Sequence, residues 1–324
     1  MMDVIRTVAF VIAASGAFGA ALCLCGLVSN RLDLATHAAP FWLTCGLSAL
    51  ILQSVAGAPT GQPVLGLGTF ATLVSVGLVA AELVARFFVC AAPPEDQTLK
   101  IIQFNVWNRN RDPIATARWI STEDADIVIL EEAGCRAAPI ISALSAQYAY
   151  RTTSTEAELC PTSILSKLPQ TAGGCITPTG LDPRHATAWA TFGNGASAFS
   201  VAGTHYVWPE PIGPQHRQAH EFAEIIARFD QASLIVAGDF NLTPWSFNLR
   251  RQDSAFGLKR LTRALPSWPV GEIAHWGVTF PFPFLPIDHI YAGDAWRTVS
   301  VTRGPCLGSD HAPIVAVLTR SLRP

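Results

Sequence analysis

Three stretches near the N-terminus carry no charged side chain: Phe10 to Val28, Phe41 to Val55 with apolar flanks, and Val64 to Ala81. Each is about the length a helix needs to cross a bilayer, roughly 20 residues. Short polar connectors, "SNRLDLATH" and "GAPTGQP", separate them, so the pattern predicts three transmembrane helices packed as two tight hairpins. The first apolar run is longer than the core of a cleaved leader, its basic start is Arg6 alone, and no small-residue cleavage site follows. It is therefore read as a retained anchor. After "AAPPEDQ" at 91–97, charged residues return and short apolar runs alternate with Gly, Pro and Asn. The chain is accordingly divided into a membrane anchor over 1–92, a linker over 93–98 and one globular domain over 99–320.

Within that domain the pattern alternates between period two and period 3.6. "LKIIQFNVW", "ADIVILEEA", "TSILSKLP", "ATAWATF", "AFSVAGTHY", "SLIVAGDF", "IDHIYAG" and "HAPIVAVLT" read as strands. "DPIATARWISTED" and "GPQHRQAHEFAEIIARFD" read as helices, the second with Phe222, Ile225, Ile226 and Phe229 at helical spacing. "TSILSKLPQTAGG", bracketed by Cys160 and Cys175, reads as a β-hairpin. The mixed order points to an α/β sandwich.

Composition agrees with the anchor, since 50% of residues are hydrophobic and only 14% charged, too apolar for an ordinary soluble chain of this size. From Pro93 to Pro324 there are 19 Lys and Arg against 21 Asp and Glu. Without a basic excess, a long polyanion gripped through many phosphates is disfavoured as the substrate. Four of the 8 cysteines fall in or beside the apolar segments, and the rest, Cys135, Cys160, Cys175 and Cys306, show no zinc-type spacing. A Cys160–Cys175 disulfide and free buried thiols are the two alternatives for the hairpin.

The chemistry gathers at strand ends. Asn105 ends "IIQFN", Glu131 and Glu132 end "IVILEE", His205 ends "SVAGTH", and Asp239 and Asn241 end "IVAGDFN"; Asp288 and His289 precede "IYAG", and Asp310 and His311 precede "APIVAV". One such end is a turn, whereas six drawn from the same few residue types imply one convergent site. In an extended chain Asp239 and Asn241 share a face while Phe240 points to the core.

This ordered set, "FNVW", "LEE", "GTH", "GDFN", "IDH" and "GSDH", resembles the endonuclease/exonuclease/phosphatase superfamily, which includes DNase I and neutral sphingomyelinases. With "GVTFPFPFLPIDHIYAG" and the three leading helices it resembles a bacterial membrane-anchored branch. The resemblance implies a DNase I-like four-layer α/β sandwich preceded by about three transmembrane helices. It also implies hydrolysis of a phosphodiester or phosphomonoester with Mg²⁺ or Mn²⁺ as cofactor. By resemblance Glu132 is the principal metal ligand, with Asn105 beside it and Asp310 available. Asp239 and Asn241 activate water and hold phosphate, Asp288 pairs with His311, and His205 binds phosphate or acts as the opposite acid or base. Glu131, where the family more often has Gln, faces the other way on a strand and is not assigned the metal.

Some residues have plain structural readings. His289 is structural, and His216 and His220 lie on a solvated helix face. Trp107, Trp208 and Trp245 serve as substrate walls or as core. "TFPFPFLP" suits a lip on lipid headgroups or packed core. The expected partners are a lipid bilayer and a phosphate-ester substrate, lipid headgroup or envelope phosphodiester, with nucleic acid left open but not favoured; oligomeric state is not read. A catalytically silent membrane adaptor is the competing reading. The chain is expected in the bacterial inner membrane with the domain extracytoplasmic, by analogy with tethered envelope enzymes, although Arg31, Arg86 and Lys100 lean the other way.

Overall fold

The computed structural model describes residues 2–57, 62–88, 91–93, 97–154, 161–180, 182–273 and 277–320. The chain forms two compact units, one of Met1–Phe88 with Leu242–Arg251 and one of Val89–Asn241 with Gln252–Pro324.

The first unit holds α1 (Met2–Cys25), α2 (Ala39–Ala56) and α3 (Gln62–Phe88). All three are long and apolar enough to cross a membrane. Small residues let them approach: a side chain added at Gly16 would run into Cys45, at Gly19 into the Trp42 ring, and at Gly46 into Thr72. The connector expected between the first two helices is a 3₁₀ turn, Leu32–Ala38, whose Asp33 is buried. Within this unit the Asp33 carboxylate accepts from the backbone N–H groups of Phe247 (2.9 Å) and Asn248 (2.8 Å), the first residues of a later helix. Ser246 Oγ accepts from Leu249 N–H in the same turn. Together they satisfy three donors that a helix start otherwise leaves orphaned. Trp245 is buried here too, its indole donating to the His37 carbonyl.

The second unit is a sandwich of two six-stranded sheets. Its elements in order are β1 (Thr98–Asn105), α4 (Pro113–Glu123), β2 (Ile127–Glu131), α5 (Ala138–Leu144), β3 (Tyr150–Thr153), β4 (Ser163–Ser166), β5 (Gln170–Ile176), β6 (Thr187–Phe192) and β7 (Phe199–His205). There follow α6 (Pro214–Ile226), β8 (Leu234–Asp239), α7 (Phe247–Phe256, whose residues up to Arg251 belong to the first unit), β9 (Lys259–Arg260), β10 (Gly271–Ile273), β11 (Val278–Phe280), β12 (Asp288–Ala292), β13 (Trp296–Arg303) and β14 (Ile314–Arg320). The sheets run β13-β14-β1-β2-β4-β3 and β5-β6-β7-β8-β12-β9, with β10 and β11 a separate hairpin.

The strand sequences explain the layers. Period two sends Ile101, Ile127 and Ile129 from one sheet and Val201, Ile235, Ala237 and Ile290 from the other into the shared core. The alternate residues Ile102, Phe104, Val128 and Leu130 pack under Ile120 of α4 and Ile140 of α5. On the outer face of the second sheet, Phe240 sits among Tyr206, Phe222 of α6 and Tyr291 at ring distances of 4.9, 6.2 and 5.5 Å. Phe240 therefore does turn to the core. Fully burying such a side chain is worth about 1.5–3 kcal/mol.

The hairpin expected at "TSILSKLPQTAGG" is not formed. β4 pairs with β2 and β3 in one sheet, β5 with β6 in the other, so Leu168 and Pro169 cross between sheets. Cys175 is exposed on β5, and Cys160 lies outside the described residues.

Candidate active site

Each sheet carries one parallel pair at its centre, β1 with β2 and β7 with β8. Parallel neighbours end on the same side, so Asn105 falls opposite Glu131 and His205 opposite Asp239. β12 runs antiparallel to β8 and begins where β8 ends, which sets Asp288 opposite Asp239. β14 runs antiparallel to β1, which brings the Ser309–His311 turn before it to the same rim. Topology alone thus gathers the polar strand ends.

Local backbone finishes the placement. Glu132, one step beyond β2, has φ +53° and Asn241, two beyond β8, has φ +50°, left-handed conformations costly for non-glycine residues and common at functional sites. The bend at Glu132 returns its carboxylate to the site. Asn105 Nδ2 donates to Glu132 Oε1 (3.3 Å) and to Asp239 Oδ2 (3.1 Å), while its Oδ1 accepts from Trp107 N–H. Glu132 Oε2 accepts from Asn108 N–H. His205 Nε2 stands 3.9 Å from Glu132 Oε1 and 3.7 Å from Asp239 Oδ2. On the other side of Asp239, His311 Nε2 lies 3.6 Å from Oδ2 while its Nδ1 is 2.8 Å from Asp288 Oδ2. Asn241 donates from its backbone to Asp239 Oδ1 and from its side chain to the Tyr206 carbonyl. Asp310 accepts from the Trp268 indole at 3.3 Å.

The electrostatics follow from burial. Desolvation pushes the Asp239 carboxyl up to about 7, against the pull of His311. Desolvation likewise brings His205 down to about 3, keeping its imidazole neutral. Burial also disfavours charge on His311, but Asp288 and then Asp239 hold its pKa well above the ordinary value. Asp288 is correspondingly kept below the usual carboxylate range by His311, in spite of its own burial. Burial raises Asp310, with Glu132 adding to the rise.

Asn105, Glu132, His205, Asp239, Asn241, Asp288 and His311 are all drawn into one connected network, with Asp310 alongside through Trp268. His289 is buried on Thr262 and Phe240, and His216 and His220 are solvent-exposed. Trp208 is 52% exposed and, with Asn108, Glu132, Arg184, His185 and His205, lines a cavity of about 270 Å³. Phe282 and Phe284 of "TFPFPFLP" are exposed, while Ile287 is buried.

Sequence reasoning missed several contributors. His185 Nδ1 lies 3.1 Å from the His205 carbonyl, to which the buried Gln218 of α6 also donates. Glu131 is fully buried beneath the site, joined by Gln103 to Asp288. Gln103 lies two residues before Asn105 on one strand, so strand periodicity could have found it. Burial and then Asp288 raise the Glu131 carboxyl well above its usual range.

The chain belongs to the Endonuclease/Exonuclease/phosphatase family, whose model matches residues 102–311. Members of this family are typically phosphoester hydrolases that use divalent metals. Among solved structures, sphingomyelinase C from Streptomyces griseocarneus shares 17% identity at a TM-score of 0.51, covering 68% of this chain and 99% of that one. A mutant beta toxin from Staphylococcus aureus with bound magnesium ions gives 14%, 0.52, 68% and 99%. D. rerio TDP2 complexed with single-strand DNA product gives 14%, 0.55, 69% and 100%. At these identities the likeness establishes the DNase I-like α/β fold. No curated protein matches the chain.

Proposed function

We propose a membrane-anchored, divalent-metal-dependent phosphoesterase that cleaves a phosphodiester or phosphomonoester, with a lipid headgroup or envelope phosphodiester favoured over nucleic acid. The observation that carries this reading is the buried Asp239 carboxylate, within 3.7 Å of two imidazoles and bonded to Asn105. The absence of a basic excess weighs against DNA. The family's metal suits these residues, because oxygen donors dominate and the raised pKa of Asp239 marks a site short of positive charge.

Glu132, Asn105 and Asp310 would hold Mg²⁺ or Mn²⁺ through their side-chain oxygens. Asp239, Asp288 and His311 also present ligand atoms within 4.8 Å of one another. When bound, the cation withdraws charge from the phosphate and stabilises the leaving oxygen. Asp239 Oδ2, 3.7 Å from His205 Nε2 and 3.6 Å from His311 Nε2, accepts the proton of the attacking water. Asn241, in its left-handed conformation, orients the phosphate beside it. Asp288 fixes the His311 tautomer and favours the imidazolium, which holds a phosphoryl oxygen. Neutral His205 donates a hydrogen bond from the opposite side, and Trp208 walls the leaving group. We further propose an extracytoplasmic domain in a bacterial inner membrane; a C-terminal reporter active in one compartment tests it.

The test is hydrolysis of bis-p-nitrophenyl phosphate with Mg²⁺ or Mn²⁺. Asp239→Ala should lower kcat by at least about 100-fold. Wild-type turnover no better than this variant would favour the silent adaptor. A sphingomyelin or phospholipid assay beside a plasmid-nicking assay separates lipid from nucleic acid as substrate.

A further inference from the structure

Beneath the site, Gln103 is fully buried in β1 with both amide protons committed. Its Nε2 donates to Asp288 Oδ1 at 2.8 Å and to Glu131 Oε2 at 2.9 Å. Asp288 uses its other oxygen for His311 Nδ1, also at 2.8 Å. A carboxylate gripped on both oxygens cannot rotate, so the amide sets the plane in which the imidazole is held. Among the described residues, Gln103 Oε1 and Glu131 Oε1 have no hydrogen-bond partner. A fold built for stability alone would not bury two unpartnered polar atoms together. An apolar pair of this size would avoid that cost and would leave Asp288 loose.

We infer that Gln103 is a positioning residue for the reaction: its amide, braced by Glu131, locks Asp288 in the orientation that aims His311 at the substrate. This rests on the phosphoesterase reading for its kinetic consequence, but its geometry can be read separately. Gln103 reaches substrate only through Asp288, which makes the inference testable by a double-variant cycle.

Four variants of the full-length protein in detergent decide it. Gln103→Met, similar in size and lacking donors, should lower kcat on bis-p-nitrophenyl phosphate roughly 10- to 50-fold with KM within about twofold. Glu131→Gln still offers an acceptor to Gln103 and should stay within about threefold of wild type. In the Asp288→Asn background, adding Gln103→Met should cost no more than about twofold further, since the residue it acts through is already disabled. Losses that multiply would overturn the proposal, as would a Gln103→Met enzyme as fast as wild type. The low-field proton resonance of His311 Nδ1–H should vanish in Gln103→Met and persist in Glu131→Gln; persistence in both would also overturn it. Because the resonance needs no turnover, an inactive wild type would count against the phosphoesterase reading while the spectrum still decides Gln103.

Discussion

At the residue scale, Asp239 concentrates the tension between stability and chemistry. Its folded pKa, about 7, lies above that of an unfolded aspartate, so between those values the native state binds more protons than the unfolded state. Stability is therefore lost as pH rises from about 4 toward 7. In chelator, Asp239→Asn should be more stable than wild type at pH 8, by on the order of a few kcal/mol, and the gap should close toward pH 4. Thermal unfolding at the two pH values checks this. An excess of divalent cation should narrow the pH 8 gap, since the ion substitutes for the missing proton.

At the element scale, Gly238 lies at the crowded point where β8 meets β7. An added Cβ would sit inside the contact distance of the Thr204 carbonyl, its partner in the parallel ladder. Gly238→Ala must push the two strands apart, and a loss of at least about 3 kcal/mol is expected, read as a fall in unfolding temperature. The start of α7 gives a milder test. Asp33→Ala removes the acceptor for Phe247 and Asn248 N–H, which should cost about 1–2 kcal/mol and hasten hydrogen exchange across the first turn of α7.

The elements also show what could be read from the chain. The strands carrying Asn105, His205 and Asp239 and the long helices were legible because unbroken period-two or apolar runs leave one interpretation. The site was legible because its polar residues sit at the ends of those runs. The fate of β4 and β5 was not, since a turn such as "KLPQ" specifies a change of direction but not which sheet the chain joins. The surroundings of Glu131 were not legible for a related reason: alternation gave its face, but the burial of that face between two sheets is a tertiary fact. The short elements α5, β3 and β9 lack the length for a periodic signal.

At the scale of the whole molecule, the two parallel pairs make the site a product of topology, with each sheet delivering two strand ends to the same rim. A variant that weakens either sheet centre should lower kcat in step with stability, which parallel measurements of turnover and unfolding would reveal. The segment Leu242–Arg251 shares a compact unit with the three apolar helices and follows directly after Asn241. In a genetic screen for lost activity, inactivating alleles should therefore surface among the first ninety codons. A soluble fragment beginning at residue 93 would carry the active-site alphabet complete and still misread it, because ten of its letters would be missing their context.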